Sequence, residues 1–187
     1  MQSDNMSAPQ PIFDLAAEEV GARLKVRELQ PGDALQLAVL RLEALQNEGE
    51  LFGPLFETED KLTDADWKAR ASPSGKSTVF GLFDNNKLVG MMTAKPWEGD
   101  PSGRTVLWCQ AYVSPSYRGN KYAKPLYMAR EEWSRERYDE AVCFIHELNK
   151  HSQEIHERNG AVRVRSEIMH WPGRSPSNWH WYSKKLG

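Results

Sequence analysis

The apolar run Thr105-Val-Leu-Trp-Cys-Gln-Ala-Tyr-Val113 stops at Ser114-Pro115, and within a few residues the spacing turns helical, with Leu126, Ala129 and Trp133 aligned. The strand runs into the helix through an Arg118-Gly119 turn, with no long loop between them. The arrangement leaves the first N–H groups of the helix unpaired beside the strand end, with a partial positive charge suited to a phosphate. Gly119 lets the turn's backbone come close to an anion, and Arg118 and Lys121 add charge on either side. Pro125 suits a helix that starts only a few residues earlier, because proline has no N–H to donate. An ordinary strand–turn–helix with a solvated arginine is spelled in the same way, so this stretch alone leaves both readings open.

The remaining elements narrow the fold. Residues 24–29 alternate with period two and predict a strand. Pro31-Gly-Asp33 opens a helix with Leu35, Ala38, Leu42 and Leu45 expected on one face, and Gly49 ends it. Thr63 and Asp66 form a capping-box variant that starts a short helix through Trp67. Two apolar runs, 78–83 and 88–93, flank the turn Asp84-Asn-Asn86 and predict a hairpin. Residues 141–145 are a buried, parallel-type strand, and 152–158 a short helix stopped by Asn159-Gly160. Two extended segments, 161–169 and 178–184, finish the chain. The order predicts an α+β fold: a mixed, mostly antiparallel sheet of about seven strands flanked by about four helices. Residues 1–22 read as a tail with a short helix at 14–20, and 23–187 as one domain.

Composition excludes several functions. With 24 Lys+Arg against 26 Asp+Glu in 187 residues, the net charge of -2 gives no field for nucleic acid or a membrane surface. No stretch approaches the roughly 20 apolar residues of a membrane span, and the start does not resemble a secretory signal. Cys109 and Cys143 lie in apolar runs and read as reduced thiols of a cytoplasmic protein. The histidines lack metal-site spacing, so no metal is expected. Residues 72–77 could pass for a phosphate loop, but the upstream glycine that motif requires falls on Arg70.

Val113-Ser-Pro115 followed by Arg118-Gly119-Asn120-Lys121-Tyr122-Ala123 resembles the pyrophosphate-binding signature of the GNAT acetyltransferase superfamily, V-x-P then R-G-x-G-x-G/A. Lys121 stands at the middle glycine. Downstream, Cys143-Phe-Ile145-His-Glu-Leu-Asn149, Ser152, Ile155, His156 and Gly160-Ala161 resemble the family's L-x-V-x-x-x-N, short helix and G-F. Upstream, Arg41-Leu-Glu-Ala-Leu45, Phe52-Gly53 and Phe56-Glu57 resemble its first-helix region. The resemblance implies acetyl-coenzyme A as acyl donor, direct attack by a primary amine in a ternary complex, and a thioester lodged between diverging strands 105–113 and 141–147. It implies coenzyme contacts at Ala111, Tyr112, Val113, Arg118, Gly119, Asn120, Lys121, Tyr122, Ala123, Asn149 and Ser152, the 111–113 backbone supplying the oxyanion contact.

Two departures bear on the chemistry. Lys121 in the glycine position either weakens the close backbone approach or replaces it with a direct ion pair to the pyrophosphate, the latter being the favoured reading. His156 stands where the family places a proton-donating tyrosine. A thiol titrates near ~8.5, so protonating the leaving thiolate at pH 7 is worth only about 2 kcal/mol. An alkylamine near ~10.4 must lose a proton at about 4.6 kcal/mol, so a base matters more than an acid. Glu147 and His146 are the candidate bases, alongside Gln110, Tyr112 or a water chain.

On the acceptor side, Trp171, Trp179 and Trp181, with Trp97 and Trp108, offer aromatic walls for a small-molecule, peptide or protein amine. Glu57, Glu59, Glu167 and His170 are candidates to read its charge. A homodimer through the last strands is compatible with the resemblance. The competing readings are a non-catalytic acyl-CoA sensor, suggested by the missing glycine and tyrosine, and a binding domain without coenzyme.

Overall fold

In a computed structural model that describes residues 21–119 and 121–187, seven strands form one sheet in the order β1-β2-β3-β4-β5-β7-β6. They are β1 (Leu24–Glu28), β2 (Thr78–Asp84), β3 (Lys87–Pro96), β4 (Thr105–Val113), β5 (Glu140–His146), β6 (Val162–Met169) and β7 (Ser177–Lys185). Every neighbouring pair is antiparallel except β4 with β5. The predicted α+β sheet of about seven strands is therefore the one observed. The expected helix at 14–20, most of the tail, and Asn120 lie outside the described residues.

Helices α1 (Ala34–Glu48), α2 (Phe56–Glu59), α3 (Asp64–Ala71), α4 (Lys124–Arg135) and α5 (Lys150–Arg158) complete the fold. The capping box forms as expected: Thr63 accepts from the Asp66 amide at 3.3 Å, and Asp66 accepts from the Thr63 amide at 2.8 Å. Asn85 takes φ +55° in the β2–β3 turn, a conformation asparagine tolerates well. Helices α1 and α3 cover one sheet face through Leu37, Leu40, Ala44 and Trp67, packed with Met91 and Tyr112. Helix α4 covers the other face, where Leu126 and Trp133 meet Val89, Val106 and Trp108. Strands β2 and β3 are buried on both sides, which is why they read as continuous apolar runs.

The predicted face of α1 needs correction. Leu35 is 75% exposed, and the buried stripe is Ala34, Leu37, Leu40, Arg41, Ala44 and Leu45. The helix is apolar nearly all round, so spacing does not single out a face. An ion pair does: Arg41, 1% exposed, donates from Nε to Glu59 Oε2 at 2.9 Å and from Nη2 to Oε1 at 3.1 Å. Glu59 also accepts from Arg70 Nη1 at 3.0 Å, so this buried carboxylate is committed to the core and does not face an acceptor. Among the described residues no helix is long and apolar enough to cross a membrane.

Candidate functional site

The site begins as a defect in β4. Gln110 takes φ +54°, and the register against β3 jumps from Met91↔Tyr112 to Thr93↔Cys109, so two residues face one. Thr93 Oγ1 donates to Gln110 Oε1 at 2.9 Å and holds the bulge. Beyond it β4 bends away from β5. Their parallel pairing runs only from Thr105↔Glu140 to Leu107↔Val142, while β5 stays paired with β7 as far as His146↔Trp179. From Trp108 and Cys143 onward the strands diverge, and the edge of β4 that carries Ala111, Tyr112 and Val113 has no β5 partner.

The turn after β4 carries two left-handed residues. Gly119 has φ +80° and Lys121 φ +59°, so the lysine holds the left-handed conformation a glycine would take at that place. Among the described residues the amides of Gly119, Lys121 and Ala123 take no backbone acceptor. The Arg118 side chain turns back: its Nε donates to Val113 O at 2.8 Å, its Nη1 pairs with Glu48, and its guanidinium lies 5.1 Å from the Tyr112 ring centroid. It therefore ties the turn to α1 and is less an anion contact than the spacing implies. Asn149 and Ser152 meet each other, Asn149 Oδ1 accepting from the Ser152 amide at 3.1 Å as the cap of α5.

The histidines differ from expectation. His156 is buried, and its Nδ1 donates to Ser152 O at 2.8 Å, which leaves Nε2 as a buried lone pair without a partner. Burial, aided by the charge of Arg130, pushes the ring down to about 4. Neutral at pH 7 and with its one N–H already donated, His156 is no proton donor, and the acid role implied by the resemblance does not fit its geometry. His146 Nδ1 accepts the Leu148 amide at 3.3 Å, so that lone pair is already engaged and less open to a base role. Among the described residues the Glu147 carboxylate has a single weak contact, from Asn178 Nδ2 at 3.5 Å. Of the two candidate bases, Glu147 keeps acceptor capacity.

Two residues escaped sequence reasoning. Glu43 on α1 accepts from Tyr112 Oη at 3.0 Å and Ser114 Oγ at 2.8 Å, fixing the end of β4. Arg130 on α4 is 1% exposed, with its guanidinium 4.5 Å from the Trp108 ring centroid. Its place four residues after Leu126 and three before Trp133, on the apolar stripe, was the available signal.

On the acceptor side, the β6–β7 loop clamps onto the loop after α1. Arg174 donates to Gly53 O at 2.8 Å and Pro54 O at 2.9 Å, and Trp171 packs so closely that a Cβ on Gly53 would lie 2.5 Å from its indole. Trp171 and Trp179 stand 5.8 Å apart, and Trp179 meets His146 edge-on at 5.1 Å. Trp181 instead packs between Phe144 and Arg165. A surface cavity of about 410 Å³ lies at the opposite end of the strands around Arg104, Asp139 and Lys185, away from the gap.

Comparison with known proteins agrees with this geometry. No curated protein matches the sequence. Solved structures match its fold: an acetyltransferase of the GNAT family from Streptococcus pneumoniae has 18% identity and TM-score 0.73, over 88% of this chain and 99% of that one. The acetyltransferase yncA from Salmonella typhimurium, solved with its cofactor acetyl-CoA, has 15% identity and TM-score 0.71, over 88% and 94%. A GCN5-related N-acetyltransferase from Kribbella flavida has 19% identity and TM-score 0.70, over 88% and 98%. The profile of the Acetyltransferase (GNAT) family matches residues 41–161, most of the chain, and this protein belongs to that family.

Proposed function

We propose that this protein moves an acetyl group from acetyl-CoA to a primary amine by direct attack within a ternary complex, in the cytoplasm where its two free cysteines stay reduced. The observation that carries the reading is the divergence of β4 from β5 beyond Leu107↔Val142, leading to a turn in which, among the described residues, the amides of Gly119, Lys121 and Ala123 take no backbone acceptor. The pyrophosphate sits on those amides with Gly119, Asn120, Lys121, Tyr122 and Ala123 around it, and the pantetheine adds to the free edge of β4 as a short strand. Ala111, Tyr112 and Val113 supply that edge and the oxyanion contact. Glu147, directly or through water, takes the proton of the amine, which enters between Trp171, Trp179 and the loop at Gly53.

Titration calorimetry with coenzyme A, followed by thiol release from acetyl-CoA across amines, amino acids and peptide N-termini, tests the reading. Micromolar binding with amine-dependent thiol release supports it. Binding with no release across the panel favours the acyl-CoA sensor, toward which the neutral His156 points, and no binding at millimolar coenzyme removes both. The outer edge of β6, with exposed Val162, Val164 and Ile168, supports pairing with a second copy, which sedimentation equilibrium reads directly.

A further inference from the structure

Among the described residues Arg130 is a buried cation with no carboxylate paired to it, and its Nε and Nη2 have no acceptor. The adjacent Glu131 is taken by Arg135 and by Lys184 at 2.7 Å. The other groups around it stay uncharged: burial raises the Tyr127 phenol and the Cys109 thiol, lifts Cys143 to about 12, and His156 is neutral. An unpaired charge so placed costs several kcal/mol by order of magnitude unless an anion visits it.

Its position says which anion. The guanidinium lies over Trp108, the first β4 residue past the last β4–β5 pair, and its field reaches Cys143, the first β5 residue past that pair. It thus sits where the strands part. It is six residues into α4, about 9 Å along the axis from the helix start that receives the pyrophosphate. An extended pantetheine arm spans that distance and brings the thioester sulfur toward Arg130.

We propose that the guanidinium of Arg130 holds the coenzyme A thiolate as it leaves, so that the reaction proceeds without a proton donor at position 156. This rests on the acyltransferase reading above. The amine lone pair forms the C–N bond, and the tetrahedral centre collapses with the C–S electron pair passing to sulfur. The amine proton goes to Glu147 or water, and the thiolate remains paired with Arg130 until the coenzyme departs and takes a proton from solvent. A cation beside a thiol lowers its pKa from ~8.5 and makes it a better leaving group.

The test is the ultraviolet thiolate absorbance of coenzyme A bound to the whole protein, followed against pH in wild type, Arg130→Met and Arg130→Lys. The bound thiol is expected to titrate at least one unit below free coenzyme in wild type, near the free value in Arg130→Met and between them in Arg130→Lys. Arg130→Met is expected to lower kcat about ten- to hundredfold with the acetyl-CoA KM within about threefold. It should not lower the melting temperature, since it removes an unpaired buried charge. His156→Tyr added to Arg130→Met should recover part of the lost kcat. A bound thiol that titrates as free coenzyme in wild type, or an undiminished kcat in Arg130→Met, overturns the proposal while leaving the acyltransferase reading intact. A wild type that binds no coenzyme overturns both.

Discussion

Gly119 and Lys121 both hold the left-handed backbone, at φ +80° and +59°, two residues apart in the turn that leads into α4. A glycine does this freely, whereas a lysine loses about 1–2 kcal/mol. Lys121→Gly should therefore raise the melting temperature by a few degrees while weakening coenzyme A binding about tenfold through loss of the ammonium. Lys121→Ala should lose the affinity without the gain in stability. Unchanged affinity in both variants would assign Lys121 to the solvent.

His156 makes the fold acid-sensitive. Its folded pKa, about 4, lies below the ordinary 6.5. A base with a depressed folded pKa stabilises the native state fully above ~6.5, and that contribution is lost as pH falls through the window down to about 4. The loss is about 3 kcal/mol. Urea midpoints of wild type should fall across this window more steeply than those of His156→Phe. Parallel pH profiles for the two proteins would contradict the buried, neutral ring.

Glu59 neutralises Arg41 inside the protein. Glu59→Ala leaves a 1% exposed guanidinium unpaired and should destabilise the fold by about 3–5 kcal/mol in chemical denaturation. Because Glu59 is committed to Arg41 and Arg70, a milder Glu59→Gln variant that still folds should show an unaltered order of preference among amines.

Gly53 leaves no room for a side chain, since its Cβ would lie 2.5 Å from the Trp171 indole. Gly53→Ala should displace Trp171 and raise the amine KM about tenfold, with the acetyl-CoA KM within about twofold. Equal changes in both constants would show that Trp171 does not wall the acceptor pocket.

Much of this architecture was legible beforehand because its causes are local. The Thr63–Asp66 box and the Asn85 turn each depend on a few adjacent residues and stand where the sequence placed them, whereas α4 starts at Lys124, five residues beyond the Gly119 turn expected to open it, after a 3-10 turn at Pro115–Tyr117. The buried face of α1 was not legible, because leucine, valine and alanine occur all round it. Its orientation came from Arg41 finding Glu59, 18 residues away. The state of His156 likewise depended on the Ser152 carbonyl and on Arg130 across the core.

The sequence by itself determined the order of elements and the glycine-bearing turn after β4, since backbone preferences, caps and periodicity act over one or two turns of chain. Only the tertiary structure decided where β4 leaves β5, that His156 is buried with its Nδ1 donated to the Ser152 carbonyl, and that Arg130 is buried with no carboxylate of the described residues paired to it. Those are outcomes of desolvation and of partners brought from distant strands and helices, and no local pattern encodes them.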